Sequence, residues 1–107
     1  MRTIKSYTDI LQSKKLAEIL PTESADMYYA CGARVPDIMI GSKQDYRCYT
    51  VCWSLAALLS IMPTFTIDSS DDHHFRMQCC HHFSQWHNSL IDACYEMVLK
   101  LHELKML

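Results

Sequence analysis

Hydrophobic residues recur at helical spacing in the first fifth of the chain. Residues 6–20, SYTDILQSKKLAEIL, predict one helix or two short helical pieces, with Ser13 as a cap of the second piece. Five aliphatic side chains fall near one face of this segment: Ile10, Leu11, Leu16, Ile19 and Leu20. Pro21 ends the helix, because the residue before a proline resists the helical conformation, and a polar connection follows at 22–26.

The pattern then changes to short β-prone runs. MYYA at 27–30 and DIMIG at 37–41 predict two strands, and YRCYTV at 46–51 alternates in the manner of a third. The two glycines of the chain, Gly32 and Gly41, fall where this arrangement needs bends. We therefore expect a small antiparallel meander in this part of the chain.

Helical spacing returns at 53–62, WSLAALLSIM, and Pro63 stops this second helix. TFTI at 64–67 and FRMQCCHHF at 75–83 then predict the two strands of a hairpin joined by a polar turn. A two-residue period divides the second strand into one face with Phe75, Met77, Cys79, His81 and Phe83 and another with Arg76, Gln78, Cys80 and His82. Because the first of these faces is largely apolar, we expect it to be the buried one.

The last predicted element is a long helix over 89–106, with Asn88 or Ser89 as its cap. Its polar stripe consists of Asp92, Glu96, Lys100 and Glu103. Most other positions are apolar, so this helix should be the centre of the core. The elements together predict an α+β fold: a single domain over 1–107 in which a meander and a hairpin form one small antiparallel sheet packed against about three helices.

Composition and charge narrow the classes of function. The formal net charge of −2 comes without a basic stripe, which argues against binding to nucleic acid. The chain opens without a secretory segment, and its longest nearly apolar run, at 51–62, is too short to cross a bilayer. We therefore expect no membrane association and a cytoplasmic location, where the six cysteines would mostly stay reduced.

Three blocks of sequence carry a resemblance: LAEILPTESADMYY at 16–29, CWSLAALLSIMP at 52–63 and DACYEMVLKLHELKML at 92–107. Together they resemble a family of small proteins encoded by gut Bacteroidales, their phages and their mobile elements. The blocks cover about 40% of the chain. The resemblance implies an alternating plan of helices and strands, but no activity, because the family has no established biochemical role.

The stretch DDHHFRMQCCHHF at 71–83 lies outside these blocks and contains the candidate metal ligands. Those candidates are four adjacent side chains: Cys79, Cys80, His81 and His82. Zinc takes four tetrahedral nitrogen or sulfur ligands. Cys79 with His81, or Cys80 with His82, would supply one pair from one face of the strand, and the CxxxC pair Cys48 and Cys52 would supply the other. Neighbouring residues on a strand point in opposite directions, however, so the four cannot all converge on one ion without a break in the strand. The simpler interpretation places Cys79 in the core and the others at a partly solvated edge.

Cys52 is the candidate nucleophile of a thiol enzyme. It directly precedes the predicted helix at 53–62, whose dipole would favour a thiolate. Packing beneath the Trp53 turn is the alternative, and we find no glycine-rich elbow for an oxyanion site. Cys94 and His102, eight residues apart on the last helix, fit the core and its edge better than a ligand pair.

Three hypotheses for function follow. The first is a non-enzymatic accessory protein of a phage or mobile element that acts through contact with a protein partner or as a homodimer. The second is a zinc-binding regulatory protein that uses the Cys/His-rich strand at 79–82. The third is a thiol enzyme centred on Cys52. We expect no cofactor apart from zinc in the second case.

Overall fold

The computed structural model describes residues 5–38, 49–70 and 73–107. Its elements in chain order are α1 Ile10–Ile19, a 3-10 helix Thr22–Ser24, β1 Met27–Ala30, β2 Asp37–Ile38, β3 Tyr49–Cys52, α2 Leu55–Ile61, β4 Phe65–Ser69, β5 Phe75–Cys79, β6 His82–Phe83 and α3 Leu90–Glu103. The α+β class is confirmed, and the C-terminal helix is the longest, at 14 residues. Across these described ranges, no helix has both the length and the apolarity needed to span a membrane.

The first helix begins at a capping box. The side chain of Asp9 accepts a hydrogen bond from the backbone N–H of Gln12, and the Gln12 side chain accepts one from the N–H of Asp9. The segment is therefore one helix, and Ser13 is not a cap. Its buried hydroxyl instead lies 2.7 Å from the hydroxyl of Thr8. Leu11 is 79% exposed, so the predicted apolar face was wrong at this position.

The first sheet has the strand order β2-β1-β3, and all of its pairs are antiparallel. A meander would place the second strand at the centre, whereas here β1 is central. The bend at Gly32 is confirmed: Gly32 has a φ of 80°, and the N–H of Ala33 donates to the carbonyl of Ala30. Residues 39–41 of the predicted second strand, 46–48 of the third, and Gly41 lie outside the described residues.

The second sheet has the order β4-β5-β6 and is again antiparallel. The predicted hairpin is confirmed, with a register that runs from Phe65 opposite Cys79 to Ser69 opposite Phe75. The chain after β6 continues beside β5 until His87 pairs with Phe75. The strands of the described ranges thus form two three-stranded sheets, whereas the sequence predicts a single one.

The second helix begins two residues later than predicted. Ser54 caps α2 by accepting a hydrogen bond from the N–H of Ala57, and the carboxylate of Asp26 accepts bonds from the N–H and hydroxyl of Ser54. Trp53 precedes the helix and is completely buried. Its indole N–H donates to the hydroxyl of Ser24 at 2.9 Å, which satisfies the polar atom of this core side chain.

The last helix is the centre of the core, as predicted. α3 packs against β5 and α2. Its buried residues are Ile91, Ala93, Cys94, Met97, Val98 and Leu101. The helix ends at Glu103 rather than at 106, in a Schellman motif. Lys105 has a φ of 59°, and its N–H donates to the carbonyl of His102. The N–H of Met106 donates to the carbonyl of Leu101.

The polar stripe of α3 makes contacts with other parts of the chain. Asp92 accepts a hydrogen bond from the ammonium of Lys5 at 2.8 Å, which connects the N-terminal segment to the last helix. Glu96 lies 2.7 Å from the imidazole of His87, and the ammonium of Lys100, one turn further along the helix, is 4.0 Å from its carboxylate. The stripe therefore holds the preceding segments against α3.

Candidate functional site

The Cys/His-rich segment at 79–82 forms a tight turn. β5 ends at Cys79, β6 begins at His82, and these two residues face each other across the antiparallel pair. Cys80 and His81 form the loop, with φ values of 53° and 67°. Positive φ at both central residues is the signature of a type I′ turn, whose twist matches that of a hairpin. The prediction of one continuous strand over 75–83 was therefore wrong.

This turn is strained, because its central positions carry side chains. Type I′ turns favour Asn-Gly, since a Cβ atom is crowded at positive φ. An ordinary residue in the left-handed region costs about 1–2 kcal/mol. Cys80 and His81 both occupy that region, so the pairing of β5 with β6 must offset the cost.

The turn brings two sulfur atoms together. The Sγ atoms of Cys79 and Cys80 are 3.7 Å apart, although adjacent residues on a strand would point to opposite faces. They approach each other because Cys80 has already left the strand. Cys79 is only 1% exposed, and burial, reinforced by the neighbouring Cys80 thiol, raises the pKa of Cys79 to about 11. Both cysteines are free thiols.

His81 and His82 occupy different positions. His82 is the cross-strand partner of Cys79, so the two share a face of the sheet. His81 is exposed and, together with Cys79 and Cys80, lines an open cavity of about 410 Å³. The wall of this cavity is completed by Pro63, Thr64, Thr66 and Gln78.

The metal candidates are only partly brought together. Two of the four, Cys79 and Cys80, are in direct contact. Within 5–38, 49–70 and 73–107, no group of three or more Cys, His, Asp or Glu side chains is arranged to hold a metal ion. Cys48, from the CxxxC pair, lies outside the described residues. The site therefore contains a pair of adjacent thiols, those of Cys79 and Cys80.

Cys52 is not placed for activation by a helix dipole. It is the last residue of β3, three residues before α2 begins, and it is completely buried. Burial raises the pKa of Cys52, although hydrogen bonds from Thr8, Ser13 and Tyr29 act in the opposite direction. A raised pKa disfavours the thiolate that a nucleophilic cysteine requires.

The remaining described cysteines differ from one another. Cys94 is a core residue whose thiol donates to the Sδ of Met77 at 3.2 Å, and burial raises its pKa to about 12. His102, the residue considered with it, is exposed. Cys31 is disulfide-bonded, so the expectation of reduced cysteines does not hold for this one.

The outer face of the second sheet carries a second candidate site. The guanidinium of Arg76 lies over the rings of Phe83 and Trp86, at 4.6 and 4.7 Å from their centroids. It also donates from Nε and Nη2 to the carboxylate of Asp68, at 3.1 and 2.9 Å. We call these four residues the arginine clamp.

Two aromatic rings of the arginine clamp remain accessible. Phe83 is 44% exposed and Trp86 is 46% exposed. Sequence reasoning had placed Phe83 on the core face with Met77 and Cys79. The turn moves it to the other face, where it pairs with Gln78. No sequence signal pointed to this cluster, because it depends on where the strand is interrupted.

No protein-family model, curated protein or solved structure matches this chain. The class defined by its fold is that of a small α+β protein with two antiparallel three-stranded sheets. Its function must therefore be argued from the two sites on the second sheet.

Proposed function

We propose that the protein is a non-enzymatic accessory protein that acts by contact with a protein partner or with a second copy of itself, through the arginine clamp. The resemblance of the three sequence blocks supports an origin in gut Bacteroidales, their phages or their mobile elements. This origin is a separate part of the proposal, because the clamp lies outside those blocks.

The half-exposed Arg–aromatic cluster is the observation that carries the proposal. Trp and Arg are the residue types most enriched among those that dominate the energy of protein interfaces. The cluster is also ordered before any partner arrives, because Asp68 and the two rings already hold Arg76. An ordered side chain loses little entropy on binding, so more of the contact energy is available for affinity.

The chemistry of the thiols supports a non-enzymatic role. Burial raises the pKa of Cys52 and Cys94, and a thiol must ionise to act as a nucleophile. A protein that acts by binding a partner needs no ionised thiol, so these residues need only pack in the core. The acidic net charge of −2 favours a protein over a nucleic acid as the partner.

The cytoplasm is the location that we propose, on the basis of the sequence. The disulfide at Cys31 counts against it, because disulfides persist mainly in oxidising compartments. Rapid alkylation of thiols in intact host cells, followed by mass spectrometry, tests this part of the proposal. An alkylated Cys31 supports the cytoplasm, and a Cys31 that stays blocked until reduction contradicts it.

Site-specific photo-crosslinking tests the contact surface. A benzophenone amino acid replaces Trp86 in the full chain, which is expressed in Bacteroidales cells. The matched control carries the same group at Leu11, an exposed aliphatic residue on α1. We expect a discrete crosslinked species, either a dimer of this chain or a complex with a partner, from position 86 and not from position 11.

The identified species then permits a quantitative test. Trp86→Ala should weaken its binding roughly 30-fold, since truncation of a dominant interface residue costs about 2 kcal/mol. Leu11→Ala should leave the affinity unchanged. Equal crosslinking from both positions, or an affinity unaffected by Trp86→Ala, would contradict the proposal.

A further inference from the structure

Cys79 and Cys80 form a pair of neighbouring thiols whose geometry suits a reaction between them. Their sulfurs are 3.7 Å apart, and both are reduced in this structure. Their environment differs from that of the other free cysteines. Cys52 contacts the hydroxyl of Thr8, and Cys94 contacts the thioether of Met77, a group that cannot form a disulfide.

An oxidant can reach this pair. Cys80 is partly exposed, and both thiols line the open cavity of about 410 Å³ beside Pro63. A water molecule occupies only about 30 Å³ of liquid volume, so this cavity admits hydrogen peroxide or the end of a small disulfide. Cys79 is almost completely buried, which makes Cys80 the first of the two to react with the oxidant.

We propose that Cys79 and Cys80 are a site of reversible oxidation that closes to a disulfide between adjacent residues. With peroxide, the Cys80 sulfur attacks one oxygen, the O–O bond breaks, and one water leaves to give a sulfenic acid on Cys80. The Cys79 sulfur then attacks the Cys80 sulfur, the S–S bond forms, and a second water leaves. The dithiol loses two protons and two electrons, which convert one peroxide into two waters.

A small-molecule disulfide gives the same product by exchange. The Cys80 sulfur attacks it, one thiol leaves, and the resulting mixed disulfide is displaced by Cys79 with release of the second thiol. The Cys79–Cys80 bond is easily reduced again. Adjacent Cα atoms are about 3.8 Å apart, below the range of about 4.4–6.8 Å that relaxed disulfides prefer, and a strained disulfide is labile.

The left-handed turn makes the closure local. The positive φ at Cys80 already brings its sulfur toward Cys79, so no other element has to move for the two sulfurs to approach. Once the Cys80 sulfur is oxidised or bound in a mixed disulfide, the neighbouring Cys79 thiol attacks it far faster than a dissolved thiol does. This proposal is independent of the arginine clamp and of any partner.

Peptide mass spectrometry of the full chain tests the proposal. Reduced protein is treated with hydrogen peroxide or glutathione disulfide, its remaining thiols are alkylated, and it is cut after Arg76 and Phe83. The peptide 77–83 contains Cys79 and Cys80 but neither Cys94 nor Cys31, so other thiols do not affect the measurement. We expect this peptide to lose two hydrogens and both alkylation sites, and to regain both sites after treatment with dithiothreitol.

Two variants separate the roles of the sulfurs. Cys79→Ser should trap Cys80 as a sulfenic acid or mixed disulfide at about ten times the wild-type level, because the second thiol is missing. Cys80→Ser, at the partly exposed turn position, should abolish both closure and trapping. The matched control Cys94→Ser should close like the wild type.

Three results would overturn the proposal. The first is full alkylation of both thiols in peptide 77–83 after oxidation, and the second is accumulation of a mixed disulfide on wild-type Cys80 without ring closure. The third is a disulfide between the Cys80 residues of two chains. The wild-type measurement alone distinguishes these results from the expected one, so the test does not depend on the folding of any variant.

Discussion

Replacing His81 with glycine tests the turn, because the two descriptions of residues 75–83 predict opposite signs for its effect. In the observed turn His81 has a φ of 67°, a conformation that glycine adopts without a clash. In a continuous strand, glycine would lose backbone entropy on folding and would weaken the strand. The change in the free energy of unfolding therefore reports which description holds.

The expected magnitude follows from two opposing terms. Removing the Cβ from the left-handed position relieves about 1–2 kcal/mol. Glycine also makes the unfolded chain more flexible, which costs about 0.5–1 kcal/mol. His81 is exposed, so its side chain contributes little burial. The net effect is a stabilisation of about 0.5–1 kcal/mol, which raises the Tm of a domain of this size by about 3–6 °C.

Thermal and urea unfolding, followed by circular dichroism, measure this change. Gln78→Gly is the matched control, because Gln78 lies on β5 and pairs with both Thr66 and Phe83. This substitution should destabilise the protein by about 0.5–1 kcal/mol. A loss of stability for His81→Gly similar to that for Gln78→Gly would refute the turn and the sulfur geometry derived from it.

Three further predictions concern α3. Lys105→Gly should stabilise the protein by about 0.5–1 kcal/mol, measured as a higher Tm, because Lys105 has a φ of 59° at the end of the helix; an unchanged or lower Tm would contradict the Schellman motif. Leu101→Ala should lower the free energy of unfolding in urea by about 2–5 kcal/mol, since Leu101 is completely buried; a loss below 1 kcal/mol would place it outside the core. Burial alone would raise the pKa of Asp92, but hydrogen bonds from Lys5, Ser89 and Gln12 outweigh it and lower the pKa. The stabilisation by ionised Asp92 is therefore present above the unfolded pKa of about 3.9 and is lost as pH falls through the lower folded pKa. Asp92→Asn should destabilise the protein at pH 7, and this destabilisation should shrink below about pH 4. An equal effect at both pH values would exclude this ionised contact.

The elements that could be predicted from the sequence are those defined by a repeated pattern. The spacing of apolar residues on α3 identified its buried face, including Met97 and Leu101, because a wide apolar stripe must be covered. The hairpin of β4 and β5 followed from two β-prone runs around a polar turn. The ends of the helices were less accurate. The last helix ends at a lysine in the left-handed conformation, a position where the usual signal is glycine.

Contacts between distant polar residues could not be predicted. Lys5 and Asp92 are separated by 87 positions in the sequence, yet their side chains form a hydrogen bond. Similarly, nothing in the local sequence places Arg76 against Trp86, because this contact depends on the path of the chain after the turn. The pattern of a single sequence indicates the period of a helix or strand, but not which other residues that element contacts.

The geometry of the two candidate sites has one cause, which explains why the sequence predicted neither the contact between the two thiols nor the arginine clamp. Along a strand, alternate residues share a face, so Phe83 would lie on the same side as Cys79. A two-residue turn instead pairs Cys79 with His82, and the following residue, Phe83, then faces the side that carries Arg76. The same turn takes Cys80 out of the strand and brings its sulfur to that of Cys79. A substitution that restored a continuous strand would therefore separate the sulfurs and remove Phe83 from Arg76 in a single step.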